Sequence, residues 1–359
     1  MKEKIMRKRY VIAVLLILLM AALISACGAK QPDTPQPQPN TPTPLIQDKT
    51  DSDGTCGDET ALPATETRSW HFVVITHGSP TSKFWAVVKN GVAQAAEDMR
   101  VQVTYQSPDT FDLDAMAKMI DDAVASHPDG IAVSIPNVDA LRDPIQNAIA
   151  AGIPVVSLNS GSGVAEELGV LGHFGQSEYT AGTAAGQRMM KEGIHKGLCL
   201  IQEADNTALQ VRCQGFADAL NAGGLQTVNV VVEEDDPAVA QQKIAEALEQ
   251  NPTVDAILAL GPSVGEPALA ALQAKGLAGQ TKLAAFDLSP TMLEAVEKGD
   301  MLFLVDQQPY LQGYLPVMYL TLYNENLSEP AVKITLTGPD IITKENAAKV
   351  LSYSKESLR

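Results

Sequence analysis

The fold of this chain follows from residues 71–106, which read HFVVITHGSPTSKFWAVVKNGVAQAAEDMRVQVTYQ. The run HFVVITH (71–77) predicts a buried strand, and VQVTYQ (101–106) predicts a second one. Between them, residues 83–99 place apolar side chains on one side of a helix, namely Phe84, Val87, Val88, Val92 and Ala95. A strand, a helix and another strand in this order form one unit of a parallel sheet.

The same alternation continues along the chain and restarts after about residue 176. Further strands are predicted at 130–135, 153–158, 198–202, 227–233, 256–260, 282–286, 302–306 and 332–337. Further helices are predicted at 112–126, 138–151, 178–192, 208–221, 238–250, 266–275, 290–298, 310–325 and 343–351. Two successive blocks of this kind predict an α/β fold with two doubly wound parallel-sheet lobes.

The first residues indicate export. Five basic side chains and Glu3 come before the uncharged run YVIAVLLILLMAALISA (10–26), whose small last residues precede Cys27. This order resembles the bacterial lipobox, in which the Cys becomes the lipid-carrying first residue. The alternative is an uncleaved membrane anchor, but 17 apolar residues are at the short edge of the roughly 20 needed for a span. We therefore predict a signal peptide at 1–26 and lipidation of Cys27.

Residues 27–69 predict a stalk. Pro, Thr, Gln and Asp dominate this segment and no apolar period is present, so it cannot bury enough surface to offset its ordering entropy. A plain tail without a spacer role is the alternative, and the lipid anchor in front of it favours the spacer. Cys56, within the segment, is assigned no role.

Composition excludes several classes of function. The 359 residues carry a formal net charge of −17, with 26 Lys and Arg against 43 Asp and Glu. Removal of residues 1–26 takes away five basic residues and one acidic residue, which leaves −21. This acidic balance argues against nucleic acid or an anionic membrane surface as a partner. With 45% hydrophobic residues the chain has ample material for a core, and four Cys are too few for a disulfide scaffold.

Sequence motifs for catalysis or for a cofactor are missing. Gly161-Ser162-Gly163 begins like a dinucleotide-binding fingerprint. Glu166, however, occupies the position at which that motif needs its third Gly. The sequence has no Walker A motif, nucleophile elbow or zinc-type His-Glu-x-x-His, and its five His have no metal-ligand spacing. We predict no enzyme activity, no cofactor and no metal. Cys199 and Cys213 are predicted to be a buried strand residue and a helix residue that do not pair; a disulfide, which export permits, is the alternative.

Polar side chains follow the predicted strands, where open parallel sheets bind their ligands. These segments are rich in Asn, Asp, Gln and Ser and poor in Lys, Arg and Cys. Such groups exchange hydrogen bonds with hydroxyls and are poorly suited to phosphate. The pattern indicates a neutral, hydroxyl-rich ligand.

The core, residues 70–359, resembles the ribose/galactose-type solute-binding proteins of bacterial ABC importers. The segments that carry the resemblance are VVITHGSPTSKFWAVVKNGVAQAA (73–96), IPVVSLNSG (153–161), VRCQGFADAL (211–220), AAFDLSP (284–290) and FLVDQQPYLQGY (303–314). It implies the type I periplasmic-binding-protein fold, in which two lobes share three hinge crossovers and close on a sugar. On this basis we place the N-terminal lobe at 70–175 and 308–336, and the C-terminal lobe at 176–307 and 337–359.

The resemblance also implies site residues. Phe84 and Trp85 match the family's aromatic stacking pair. Asn159 matches the family's carboxylate or amide after the fourth strand, and Arg212 matches its ligand-binding Arg. Further matches or candidates are Asp287, Gln307, His77 and Asn206. Three alternatives remain: one aromatic ring only fills the lobe core, Arg212 is a solvated helical residue, and Asp287 is a turn or N-cap acid before the helix at 290–298.

The chain departs from the ribose-specific pattern at several places. Ser160 stands where ribose binders have an Arg, Asn159 replaces an acid, residues 261–263 lack the Asn-Asp of that loop, and residues 234–237 lack the expected aromatic. These differences argue against ribose bound in the usual way. Another pentose, a hexose, a deoxysugar, a polyol or a furanosyl signal molecule stays open.

The predicted function is that of an exported, monomeric solute-binding lipoprotein on the outer face of the bacterial cell membrane, in the periplasm or at the cell surface. It delivers a sugar or sugar-like ligand to the permease of an ABC importer by closure of its lobes. One alternative is a sensor of the same fold that serves chemotaxis, a kinase or quorum-signal uptake. Another is a nucleoside-binding lipoprotein, for which the single Phe84-Trp85 pair offers aromatic contact on one side only.

Overall fold

The computed structural model describes residues 67–233 and 236–359. The predicted signal peptide, Cys27 and the stalk as far as residue 66 lie outside the described residues. Among the helices that are described, none combines the length and the hydropathy that a bilayer span requires.

The described strands and helices alternate from residue 71 to residue 336, after which one more strand and one more helix follow, ending at residue 355. The strands are β1 (His71–Ile75), β2 (Gln102–Gln106), β3 (Gly130–Ser134), β4 (Val155–Asn159), β5 (His173–Gly175), β6 (Lys196–Ile201), β7 (Gln226–Val231), β8 (Ala256–Ala259), β9 (Lys282–Phe286), β10 (Phe303–Asp306), β11 (Ile334–Leu336) and β12 (Asp340–Ile342). The helices are α1 (Lys83–Met99), α2 (Leu113–Ala125), α3 (Val138–Ala150), α4 (Ala165–Leu168), α5 (Glu178–Met190), α6 (Thr207–Ala222), α7 (Pro237–Gln250), α8 (Pro262–Ala274), α9 (Pro290–Lys298), α10 (Pro309–Asn326) and α11 (Ala347–Lys355).

The strands form two six-stranded sheets. The first has the order β11-β5-β4-β3-β1-β2 and is parallel throughout. The second has the order β12-β10-β9-β8-β6-β7, in which only β12 runs antiparallel, against β10. The chain passes between the sheets three times: between β5 and β6, between β10 and β11, and between β11 and β12. This arrangement confirms the predicted α/β fold of two doubly wound lobes with three crossovers.

Two hydrophobic clusters cover each sheet, one on each face. On one face of the first sheet, α1 and α10 approach each other closely, since a Cβ at Gly313 would lie 2.0 Å from the Val88 carbonyl oxygen. On one face of the second sheet, α5 and α6 do the same, because a Cβ at Gly182 would lie 2.0 Å from the Arg212 carbonyl oxygen. Glycine is required at both positions by this close packing.

The structure corrects the prediction for Cys199 and Cys213. The two residues form a disulfide, with their Cα atoms 5.9 Å apart, and both are fully buried. Their predicted positions, in a buried strand and in a helix, are confirmed, whereas the expectation that they do not pair was wrong. Helix α6 packs back on β6, the strand that precedes it, and this brings together two residues that are 14 positions apart in the chain.

Candidate ligand-binding site

All eight predicted site residues lie near the carboxyl ends of the strands of the two sheets. His77 follows β1, Asn159 ends β4, Asp287 follows β9 and Gln307 follows β10. Asn206 and Arg212 belong to the start of α6, and Phe84 and Trp85 to the start of α1. None of the eight is more than 8% exposed. The structure therefore gathers these residues into one buried region.

Four aromatic rings form a cluster on the side of the first lobe. The Phe84 and Trp85 ring centroids are 5.0 Å apart, and Trp85 lies 4.8 Å from the His77 ring, both in edge-to-face geometry. Phe111, which the sequence reading missed, lies 5.8 Å from His77. The Trp85 ring covers Gly78, where a Cβ would lie 1.6 Å from the indole. Both Phe84 and Trp85 pack in the core of the first lobe.

His77 links the aromatic cluster to the second lobe. Its Nδ1 lies 2.8 Å from Ser134 Oγ, and its Nε2 lies 3.5 Å from the Asn206 side-chain nitrogen. Burial, together with the nearby Arg212 charge, lowers the pKa of His77 to about 3. The ring is therefore neutral at physiological pH and is suited to hydrogen bonding with an uncharged ligand.

Asn206 has two structural contacts of its own. Its side-chain oxygen accepts a hydrogen bond from the Ala208 backbone at 3.0 Å and caps α6, while its nitrogen donates to Glu203 at 2.7 Å. Burial raises the pKa of Glu203 to about 7. Glu203 was not among the predicted residues, although it lies in the polar segment after β6.

Arg212 forms a buried ion pair with Glu178 through its Nε, and its guanidinium stacks over the Phe286 ring at 4.7 Å. Burial alone would lower the pKa of Arg212, but the Glu178 carboxylate outweighs burial and raises it. The guanidinium is thus charged and held in place. With 3% exposure, Arg212 is not the solvated helical residue that the sequence left as an alternative.

A chain of hydrogen bonds joins the two lobes at the hinge. The Gln307 amide donates to Asp287 Oδ1 at 2.6 Å, and its oxygen accepts from Asn159 at 3.2 Å and from Gln312 at 3.0 Å. Ser160 Oγ donates to Asn159 Oδ1 at 2.8 Å. The network therefore runs from β9 of the second lobe to β4 of the first.

Asn159 and Asp287 share an unusual backbone conformation. Their φ angles are 60° and 64°, in the left-handed region that Asn and Asp tolerate better than other side chains do.

Burial raises the pKa of Asp287 to about 7, although Arg212 and the Gln307 hydrogen bond oppose this shift. Ser289 caps α9 through a bond from the Met292 backbone. Ser289 is thus the N-cap of that helix, which rules out the alternative that Asp287 is its N-cap.

The lobes touch around this region. The Thr207 backbone nitrogen and hydroxyl donate to the Pro136 carbonyl at 2.9 and 2.7 Å, and the Asn137 amide donates to the Asp205 carbonyl at 3.2 Å. At another point Lys83 Nζ donates to Glu266 Oε1 at 2.9 Å. The two lobes are therefore in direct contact near the predicted site residues.

Besides Phe111 and Glu203, two further side chains that contact predicted residues, Glu178 and Gln312, were not predicted from the sequence. Glu178 follows β5, a three-residue strand that was not predicted, so the rule about polar residues after strands was never applied there. Gln312 lies one turn into α10, inside the quoted segment FLVDQQPYLQGY. Its position shortly after β10, at a crossover between the lobes, was the available signal.

Within residues 67–233 and 236–359, no group of three or more His, Cys, Asp or Glu side chains is placed to hold a metal ion.

Residues 72–325 match the sequence profile of the periplasmic binding protein domain family. The chain belongs to this family. Its members are binding proteins rather than enzymes, and the family places the chain outside the cytoplasm.

Similar proteins extend over most of the chain. A solved carbohydrate transporter from Acidothermus cellulolyticus, in complex with myo-inositol, is 34% identical with a TM-score of 0.77, and the match covers 81% of this chain and all of the other. The xylose/arabinose-binding protein XylF of Sulfolobus acidocaldarius is 27% identical over 80% of this chain and 74% of its own. A sugar-binding protein of a sugar ABC transporter from Bacillus halodurans is 25% identical, with a TM-score of 0.66 and coverage of 78% and 99%.

Proposed function

We propose that the protein binds a sugar or polyol between its two lobes and delivers it to the membrane permease of an ABC importer. The observation that carries the proposal is the buried hydrogen-bonded series from Asn159 through Gln307 to Asp287. Asp287 interacts electrostatically with the buried Arg212 guanidinium, and Phe84 and Trp85 lie in the same buried region. Planar polar groups of this kind bind hydroxyls in pairs, and aromatic rings cover the C–H faces of a sugar ring.

Charge supports a neutral ligand. The positive charge of Arg212 is matched by Glu178, which it contacts, and by Asp287 nearby. A phosphate would meet two carboxyl groups beside that one guanidinium. A hydroxyl can accept from Arg212 and donate to Asp287 without this repulsion.

The relatives support pentoses and polyols as the first ligands to test. The matching transporter was solved with myo-inositol, and the archaeal relative is a xylose/arabinose-binding protein. The presence of Asn159 and Ser160 in place of an acid and an Arg argues against the usual ribose contacts.

A thermal-shift screen of the full chain tests the proposal. The panel consists of myo-inositol, D-xylose, L-arabinose, D-ribose, D-glucose, D-galactose and two nucleosides. A ligand at 100 times its Kd is expected to stabilise the protein by about 2.7 kcal/mol through mass action. Absence of a shift with every sugar and polyol contradicts the proposal, and a shift with nucleosides alone favours the nucleoside-binding alternative.

Two aspartate variants link any shift to the site. Asp287→Asn keeps the shape of the side chain but loses the carboxylate, and it is expected to remove the shift. Asp121→Asn, on the exposed face of α2, is the matched control and is expected to retain it. An unchanged shift in Asp287→Asn contradicts the placement of the site.

Attachment to the membrane is part of the proposal and has its own test. Residues 1–26 act as a signal peptide, Cys27 carries the lipid, and residues 27–69 form the spacer. Mass spectrometry of the mature protein is expected to show a lipid-modified N-terminal Cys27, and Cys27→Ser is expected to release the protein from the membrane fraction. Uptake of the labelled ligand, lost on deletion of the protein, distinguishes transport from sensing.

A further inference from the structure

A cavity of about 230 Å³ lies between the two lobes. The first lobe contributes Ile135, Val138 and Val164 to its walls, and the second contributes Tyr179, Ala208 and Val211. These side chains make the walls largely apolar. None of the eight predicted site residues lines it, so the cavity is not the site described above.

The cavity is nevertheless continuous with that site along three segments of chain. The loop 161–164 that lines it follows Asn159 directly, and Val211 on α6 precedes Arg212. Glu178 provides a direct link, since it lines the cavity and its Oε2 holds the Arg212 guanidinium. A ligand in contact with Arg212 therefore lies beside the cavity.

Glu178, which lines the cavity, also has an unsatisfied acceptor. Its side chain is 5% exposed, and its Oε1 is buried without a hydrogen-bond partner among the described residues. Leaving such an oxygen unpaired is destabilising. A hydroxyl group of a ligand at the boundary between site and cavity would satisfy it.

The rim of the cavity exposes two apolar side chains. Tyr179 is 46% exposed and Val211 is 41% exposed, although both are large hydrophobic residues. Large apolar side chains exposed next to an apolar cavity mark a surface suited to an apolar group. Tyr179 is fixed there by a hydrogen bond from its hydroxyl to Asp218 at 3.0 Å.

We propose that this cavity receives an apolar substituent of the sugar ligand, while a ring hydroxyl donates to Glu178 Oε1. The substrate class is thus a deoxysugar or a glycoside with a methyl, alkyl or phenyl group. The volume is sufficient, since a water molecule occupies about 30 Å³ and the cavity is several times larger. The inference rests on the proposed function, because the sugar ring itself is held by the neighbouring site.

Two variants change the walls of the cavity without changes to the site residues. At Gly163, no described atom lies within 4 Å of an added Cβ, so Gly163→Leu has room for its side chain. Val211→Gln makes the rim polar. Val239→Gln is the matched control, because Val239 is 39% exposed on α7 and does not line the cavity.

Calorimetric titration of the full chain tests the inference. The probes are the free sugars of the panel above, the 6-deoxysugars L-fucose and L-rhamnose, and the methyl and phenyl glycosides of each sugar in both anomeric forms. Burial of one methyl group is expected to tighten binding about fourfold relative to the free sugar, and a phenyl group at least tenfold. Gly163→Leu and Val211→Gln are expected to remove this preference and to leave free-sugar affinity unchanged, while Val239→Gln retains both.

The outcomes separate this inference from the proposed function. Binding of free sugars with no gain from any substituent overturns the inference and leaves the function standing. A preference that survives both Gly163→Leu and Val211→Gln also overturns it, because the substituent then lies elsewhere. Absence of binding by every sugar and glycoside refutes the function and the inference together.

Discussion

Arg212 and Glu178, on the neighbouring helices α6 and α5, form an ion pair in which the two side chains are 4% and 5% exposed. Removal of one member leaves the other charge buried and unpaired. We expect Glu178→Gln to lower the free energy of unfolding by about 3–5 kcal/mol, the range for a broken buried pair. Urea denaturation of the ligand-free protein measures this.

A double variant separates stability from binding. Glu178→Leu with Arg212→Met removes both charges and is expected to recover most of the stability lost in either single variant. Binding of the panel ligand is expected to stay lost, because the guanidinium is gone. A loss of less than about 1 kcal/mol of unfolding free energy in a single variant would show that the pair behaves like an exposed one. Full ligand binding by the double variant would show that Arg212 does not belong to the site.

The raised pKa of Asp287 predicts a dependence of stability on pH. Burial raises the pKa from 3.8 to about 7, so between these values the folded protein holds a proton that the unfolded chain has released. The contribution of protonated Asp287 to the free energy of unfolding is therefore fully present below pH 3.8 and is lost as the pH rises to about 7. Relative to Asp287→Asn, the unfolding free energy is expected to fall by about 1.4 kcal/mol per pH unit in this window.

The comparison with the variant is needed because other groups titrate in the same window. The lowered pKa of His77, about 3, makes the protein more stable as the pH rises toward 6.5, which opposes the effect of Asp287. Subtraction of the Asp287→Asn curve removes the His77 contribution. Urea denaturation from pH 4 to pH 8 provides both curves, and parallel curves would show that Asp287 is ionised throughout.

Loss of the ion pair between Lys83 and Glu266 is expected to weaken ligand binding slightly, because this pair joins the two lobes. Lys83 at the start of α1 and Glu266 on α8 belong to different lobes and meet at 2.9 Å, with side chains 58% and 28% exposed. An exposed pair contributes about 0–1 kcal/mol, so Lys83→Ala is expected to raise the Kd by no more than about fivefold. Charge exchange, Lys83→Glu with Glu266→Lys, is expected to restore affinity.

A pair within one lobe provides the control. Lys275 and Glu249 meet at 2.7 Å on the second lobe, with side chains 30% and 68% exposed. Lys275→Ala removes an exposed ion pair in the same way but does not affect lobe closure. An equal change of Kd in Lys275→Ala and Lys83→Ala would show that the contact between the lobes has no special role.

The sequence predicted long elements well and short ones poorly. Helices α1 and α9 were predicted at the bounds that the structure shows, because each carries a strong apolar period between clear end signals. By contrast α4, β5 and β12, of three or four residues each, were not predicted. Elements of that length hold less than one period of either pattern, and they form because neighbouring strands and helices provide their partners.

The omissions at the site have the same origin. Glu178 was missed because β5 in front of it was missed. The pairing of Cys199 with Cys213 depends on where α6 lies over β6, which no local pattern contains. The resemblance to solute-binding proteins, however, selected residues such as Asn159 and Gln307, which the structure joins by a hydrogen bond across the hinge.

The disulfide between Cys199 and Cys213 predicts a loss of stability on reduction. It closes a loop with a sequence separation of 14, and a loop of about 15 residues is expected to contribute about 3 kcal/mol by restriction of the unfolded chain. Both cysteines are fully buried in the second lobe. We expect Cys199→Ala with Cys213→Ala to lower the free energy of unfolding by about 3 kcal/mol in urea and to leave ligand affinity unchanged.

Peptide mapping without reductant is expected to recover the two cysteines in one linked peptide pair. Recovery of free thiols at both positions would contradict the disulfide, and equal stability of the double variant would show that it contributes nothing to the fold.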